Sequence, residues 1–73
     1  MSVEARIRND IETRIRSGEW APGMRVPTEH ELVASYRCAR ATANKALSRL
    51  AREGLIERRR RAGSFVARPQ IRT

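Results

Sequence analysis

Apolar residues recur every four positions at Val3, Ile7, Ile11 and Ile15, with Arg6, Arg8, Glu12 and Arg14 between them. At 3.6 residues per turn this spacing lays a single apolar stripe along a helix. The helix is expected to stop near Ser17-Gly18, because glycine accepts the left-handed conformation that closes a helix. Ala21-Pro22-Gly23 reads as a turn and Met24-Arg25-Val26 as a short edge strand. Thr28-Glu29-His30-Glu31 follows Pro27 and fits a capping box, in which the Thr28 hydroxyl accepts from the Glu31 amide and the Glu31 carboxylate accepts from the Thr28 amide. A second helix therefore starts here and runs to about Tyr36, with Leu32, Val33 and Tyr36 inward. After a turn at Arg37-Cys38-Ala39, Ala43, Ala46, Leu47, Leu50 and Ala51 fall at i, i+3, i+4, i+7 and i+8, the stripe of a third helix. Gly54 is placed to end it, and Leu55 to touch Leu50 as in a Schellman motif.

Leu55-Ile56-Glu57-Arg58 and Ser64-Phe65-Val66-Ala67 are β-prone runs joined by Arg59-Arg60-Arg61-Ala62-Gly63. They predict a hairpin with a basic tip. Trp20 and Phe65 read as core aromatics and Cys38 as a small buried filler. The predicted fold class is α+β, three helices plus a small antiparallel β-hairpin, in the winged helix-turn-helix arrangement over residues 1–67. Residues 68–73 contain Pro69 and no periodicity, and read as the start of a linker to a further domain absent from the chain.

The length of 73 residues changes the picture by exclusion. A domain this small hides only about 60% of its unfolded surface, which leaves no room for an enclosed substrate pocket beside the core. No acid/base pair, no nucleophile with its base and no phosphate loop is present, so an enzyme is not expected. The single Cys38 forms no internal disulfide, no Cys/His cluster has zinc-ligand spacing, and no metal or cofactor is expected in this domain. No apolar run reaches the roughly 20 residues of a membrane span, and no signal-peptide core follows Met1. A cytoplasmic, nucleoid-associated location is expected.

Charge adds the positive evidence. Residues 1–36 hold five basic side chains against six acidic, whereas residues 37–73 hold eleven against two, for a net +8. A basic half of this kind suits a polyanion, since clustered cations release counterions from phosphate. Two short helices joined by a tight turn form the helix-turn-helix layout, here Glu29 to Ser48, whose second helix enters the major groove. At 100° per residue, Ala41, Lys45, Ser48 and Arg52 lie opposite the apolar stripe, with Asn44 and Arg49 on its flanks. Small Ala41 and Ser48 let the helix sink toward the bases, Arg40 can fork onto guanine, and Asn44 onto adenine. Arg60 and Arg61 at the hairpin tip can clamp phosphates or enter a minor groove, with Gly63 allowing close backbone approach. His30, at the second position of its helix, is placed for a phosphate contact at the helix N-terminus. A solvated basic face is the alternative reading of each of these surfaces.

Read together, PGMRVPTEHELVASY, RATANKALSRLAREGLIERR and AGSFVA resemble the GntR family of bacterial regulators. The shared pattern is a Pro-Gly turn, a Pro-x-Glu-x-Glu-Leu helix start, an Arg-x-Thr recognition-helix start, a Leu-x-x-Leu-x-x-x-Gly-Leu helix end and a Gly-Ser/Thr-Phe-Val strand. The RRRRAGSFVARP and TANKALSRLA segments are most similar to the HutC subfamily. The resemblance implies DNA contacts from His30, from Arg40, Ala41, Thr42 and Asn44, and from Arg60, Arg61 and Gly63. Where the family commonly has Gly-Val-Ser before the recognition-helix Arg, this chain has Arg37-Cys38-Ala39, which removes a hydroxyl cap. Ala43 stands where a larger β-branched residue is usual. The resemblance further implies a C-terminal effector domain that dimerises the protein and binds a metabolite, urocanate in the members that govern histidine utilisation.

The expected function is therefore sequence-specific binding of duplex DNA by a repressor, on a roughly palindromic operator. The full-length protein is expected to be a homodimer, and this domain alone a monomer or weak dimer with no membrane partner. A general nucleic-acid binder, architectural or RNA-directed, is the alternative.

Overall fold

The computed structural model describes residues 2–59 and 61–68. In chain order the elements are α1 (Val3–Arg16), β1 (Arg25–Val26), α2 (Glu29–Tyr36), α3 (Arg40–Arg52), β2 (Ile56–Arg59) and β3 (Gly63–Val66). Arg60 and residues 69–73, the greater part of the expected linker, lie outside the described residues.

Helix α1 begins where the Ser2 hydroxyl accepts from the Ala5 amide at 3.1 Å, satisfying one of the amides a helix start leaves unpaired. Its Ile7 and Ile11 are buried against α3. The capping box of α2 is formed as the sequence predicts. The Glu31 amide donates to the Thr28 hydroxyl at 3.1 Å, and the Thr28 amide to the Glu31 carboxylate at 2.9 Å. Helix α2 ends on Arg37, whose φ of 51° and ψ of 51° are left-handed. The Tyr36 hydroxyl donates to Asp10 Oδ2 at 2.7 Å and ties α2 to α1. Burial, reinforced by Asp10, pushes the Tyr36 phenol above its ordinary value.

Helix α3 starts at Ala39 with no side-chain cap, as expected of a methyl group in that position. Its far end is the expected Schellman closure: Gly54 donates to the Ala51 carbonyl and Leu55 to the Leu50 carbonyl, both at 3.0 Å, with Gly54 at φ +81°. Ala43, Ala46, Leu47 and Leu50 are buried along its inner side. They meet Ile7, Ile11, Val26, Leu32, Ile56 and Val66 in one core, with Trp20, Tyr36 and Cys38 half-buried at its margin.

The sheet departs from the expected hairpin in three ways. First, the expected edge strand, β1, pairs onto the second strand of the hairpin, giving the order β1-β3-β2 with β3 central and antiparallel to both neighbours. Arg25 pairs with Phe65 and Val26 with Ser64. Second, the strands are shifted by one residue, because the Leu55 amide is used to close α3 and pairing starts at Ile56. Third, Phe65 is not a core residue. Side chains alternate along a strand, and Ser64 and Val66 are the buried pair. Phe65 therefore faces away, half-exposed, with the Arg59 guanidinium 5.7 Å from its ring centroid. No helix among the described residues is long and apolar enough to cross a membrane.

Candidate nucleic-acid interface

Because the core holds α3 by Ala43, Ala46, Leu47 and Leu50, its other side is presented outward. Arg40, Ala41, Asn44, Lys45, Arg49 and Arg52 are exposed, and Thr42 and Ser48 are half-buried. His30 is exposed at the start of α2. Arg61 is exposed in the β2–β3 turn at φ 68°, and Gly63 opens β3 at φ +100° opposite Arg59. A Cβ on Gly63 would come to 3.7 Å from the Arg25 guanidinium. Arg60, expected at this tip, lies outside the described residues.

Ion pairing distinguishes α1 from α3. On α1, Arg8 pairs with Glu4 at 3.0 Å and Arg16 with Glu12 at 2.6 Å, while Arg14 reaches Glu19 at 3.4 Å. Among the described residues, Arg40, Lys45, Arg49 and Arg52 of α3 and Arg61 of the turn have no carboxylate within ion-pair distance. The outer side of α3 thus carries positive charge without direct ion pairs among the described residues, whereas α1 pairs Arg8 and Arg16 within the helix and Arg14 with Glu19 just beyond it.

One set of contacts joins three elements. Glu29 Oε2 accepts from Asn44 Nδ2 at 2.6 Å and from Arg58 Nη2 at 2.8 Å, and Arg58 Nη1 donates to the Ser48 hydroxyl at 3.0 Å. The first residue of α2, the middle of α3 and the second strand are therefore fastened together. The Asn44 amide, then Arg58 and Arg40, hold the Glu29 carboxyl below its ordinary value against the opposing effect of burial. Sequence reasoning placed Asn44 and Ser48 on the groove side but missed Glu29 and Arg58 as their partners. Strand alternation carried the signal for Arg58, since it shares a face with buried Ile56 and so points toward α3. Among the described residues no group of His, Cys, Asp and Glu side chains is placed to hold a metal ion.

Three helices, a three-stranded sheet and an outward basic third helix define a winged helix-turn-helix domain. Residues 3–66 match the model of the gntR family of bacterial regulatory proteins, and the chain belongs to that family. It is 44% identical over 66 residues to the histidine utilization repressor of Pseudomonas aeruginosa, covering 90% of this chain and 26% of that protein. The histidine utilization repressor of Klebsiella aerogenes is 43% identical over 65 residues, covering 89% of this chain and 27% of that protein. The chain thus spans about a quarter of the length of these relatives. Its fold superimposes on the AraR DNA-binding domain in the crystal structure with operator ORR3, with a TM-score of 0.86 and 31% identity over 92% of this chain and 81% of that one.

Proposed function

We propose that this domain is the operator-reading part of a bacterial repressor of histidine-utilisation genes. The observation that carries the reading is the outward side of α3, where Arg40, Lys45, Arg49 and Arg52 are exposed cations without carboxylate partners among the described residues. Cations left unpaired on a helix that fits the major groove gain most from phosphate and base edges. In this reading Arg40 and Asn44 read bases, Ala41, Thr42 and Ser48 line the approach, and Lys45, His30 and the turn with Arg60, Arg61 and Gly63 meet the backbone. Two domains of a homodimer occupy half-sites about one helical turn apart on a near-palindromic operator in the cytoplasm, at the nucleoid. The named relatives are histidine utilization repressors, and in this reading the releasing metabolite is urocanate, bound by a C-terminal domain, as the resemblance to the HutC subfamily implies.

Titration of the chain against an operator selected from a random duplex library, against unrelated duplex and against RNA tests this. Arg40→Ala is expected to weaken operator binding and blunt base preference, and Arg61→Ala to weaken all duplexes more evenly. Equal affinity for operator, unrelated duplex and RNA would instead make the domain a general nucleic-acid binder.

A further inference from the structure

Asparagine on a recognition helix is ambiguous as a reader, because its amide carries a donor and an acceptor and can turn either outward. In this molecule that ambiguity is removed. A carboxylate only accepts, so the Asn44 atom that faces Glu29 at 2.6 Å has to be Nδ2. Glu29 is itself held by the 2.8 Å bond from Arg58, which is fastened to Ser48 at 3.0 Å, so the amide rests on an anchored group. Hydrogen bonds to an ionised partner are about twice as strong as neutral ones, and this one resists rotation of the amide. Oδ1 accepts no hydrogen bond among the described residues, and Asn44 is exposed.

We infer that Glu29 is a positioning residue that fixes Asn44 with its acceptor outward, so that this point of the recognition helix selects a base bearing an amino group. In the major groove adenine presents the N6 amino group and cytosine the N4 amino group, whereas guanine and thymine present O6 and O4 at the corresponding place. A locked acceptor therefore favours amino over keto bases on one strand at one position of the half-site. A free asparagine, able to turn Nδ2 outward, accommodates guanine or thymine as well. The depressed Glu29 carboxyl agrees with an anion held in place by donors. This inference rests on the DNA-reading function proposed above.

The test is selection from a random duplex library with the chain and four variants, each checked by circular dichroism. The wild-type chain is expected to enrich adenine or cytosine over guanine or thymine at one half-site position. Glu29→Ala is expected to lower that amino-to-keto ratio roughly tenfold at that position alone. Asn44→Ala should remove the preference, and the Glu29→Ala/Asn44→Ala pair should look like Asn44→Ala. Glu29→Ala/Asn44→Asp should restore it, since a carboxylate at position 44 accepts whichever way it turns. The inference falls if Glu29→Ala leaves the ratio unchanged. It also falls if Glu29→Ala abolishes binding with the helix signal intact, which would make Glu29 a direct contact. Failure of the wild-type chain to enrich any sequence would bring down the proposed function itself, a distinct result.

Discussion

The three helix starts share one backbone conformation and differ in whether the side chain carries a hydroxyl. Ser2, Thr28 and Ala39 sit at φ/ψ of −71°/158°, −77°/168° and −71°/151°, and the first two side chains accept an amide hydrogen bond while Ala39 cannot. Ala39→Ser needs no backbone change and is expected to raise unfolding stability by about 1 kcal/mol, read from the urea midpoint. Two residues earlier, Arg37 holds a left-handed conformation that crowds its Cβ. Arg37→Gly relieves that strain, offset by the greater freedom of glycine in the unfolded chain, for an expected gain of about 0.5–1 kcal/mol on the same measurement. The missing cap was legible through the family resemblance, which places serine where this chain has Ala39. The turn at Arg37 was legible but its left-handed conformation was not, because arginine carries no preference for that region.

Helix α2 shows how far a local motif can be read. Thr28 and Glu31 are three residues apart, so their bonds needed no knowledge of the fold. The Thr28 amide and hydroxyl hold the Glu31 carboxyl below its ordinary value near 4.5, and Glu29 is lowered through Asn44 first. A carboxyl depressed in the folded state stabilises above its unfolded value and loses that contribution as pH falls through the folded one. Thr28→Ala removes the hydroxyl that accepts from the Glu31 amide and is expected to cost about 1 kcal/mol. In thermal melts the difference between Glu31→Gln and wild type, which does depend on the carboxylate accepting from the Thr28 amide, should shrink as pH drops below about 4.5. Strand β3 shows the opposite case, where alternation predicts two faces and only pairing with β1 and β2 decides which is buried. Val66→Ala should accordingly destabilise by about 2 kcal/mol, more than Phe65→Ala, although phenylalanine is the larger side chain.

On the scale of the whole molecule, the charge surplus of residues 37–73 was plain in the sequence, and the structure adds which cations are left unanswered. Lys45→Ala and Arg49→Ala are each expected to reduce the slope of log affinity against log salt by about 0.9, measured by titration at several salt concentrations. The Glu29, Asn44, Arg58 and Ser48 contacts were not legible, since they join residues 15, 29 and 10 positions apart whose meeting depends on how α2, α3 and β2 pack. The same holds for the pairing of β1 with β3, which runs from Arg25 to Phe65 and encloses α2 and α3 in a single loop of chain. That pairing sets an order of events during synthesis. The two helices leave the ribosome before the strand that closes their loop, and the Arg25 to Phe65 contact cannot form until Phe65 has emerged. A nascent chain halted short of β3 holds the DNA-reading helices without their clasp, so the last short strand to be translated decides when the domain becomes resistant to protease.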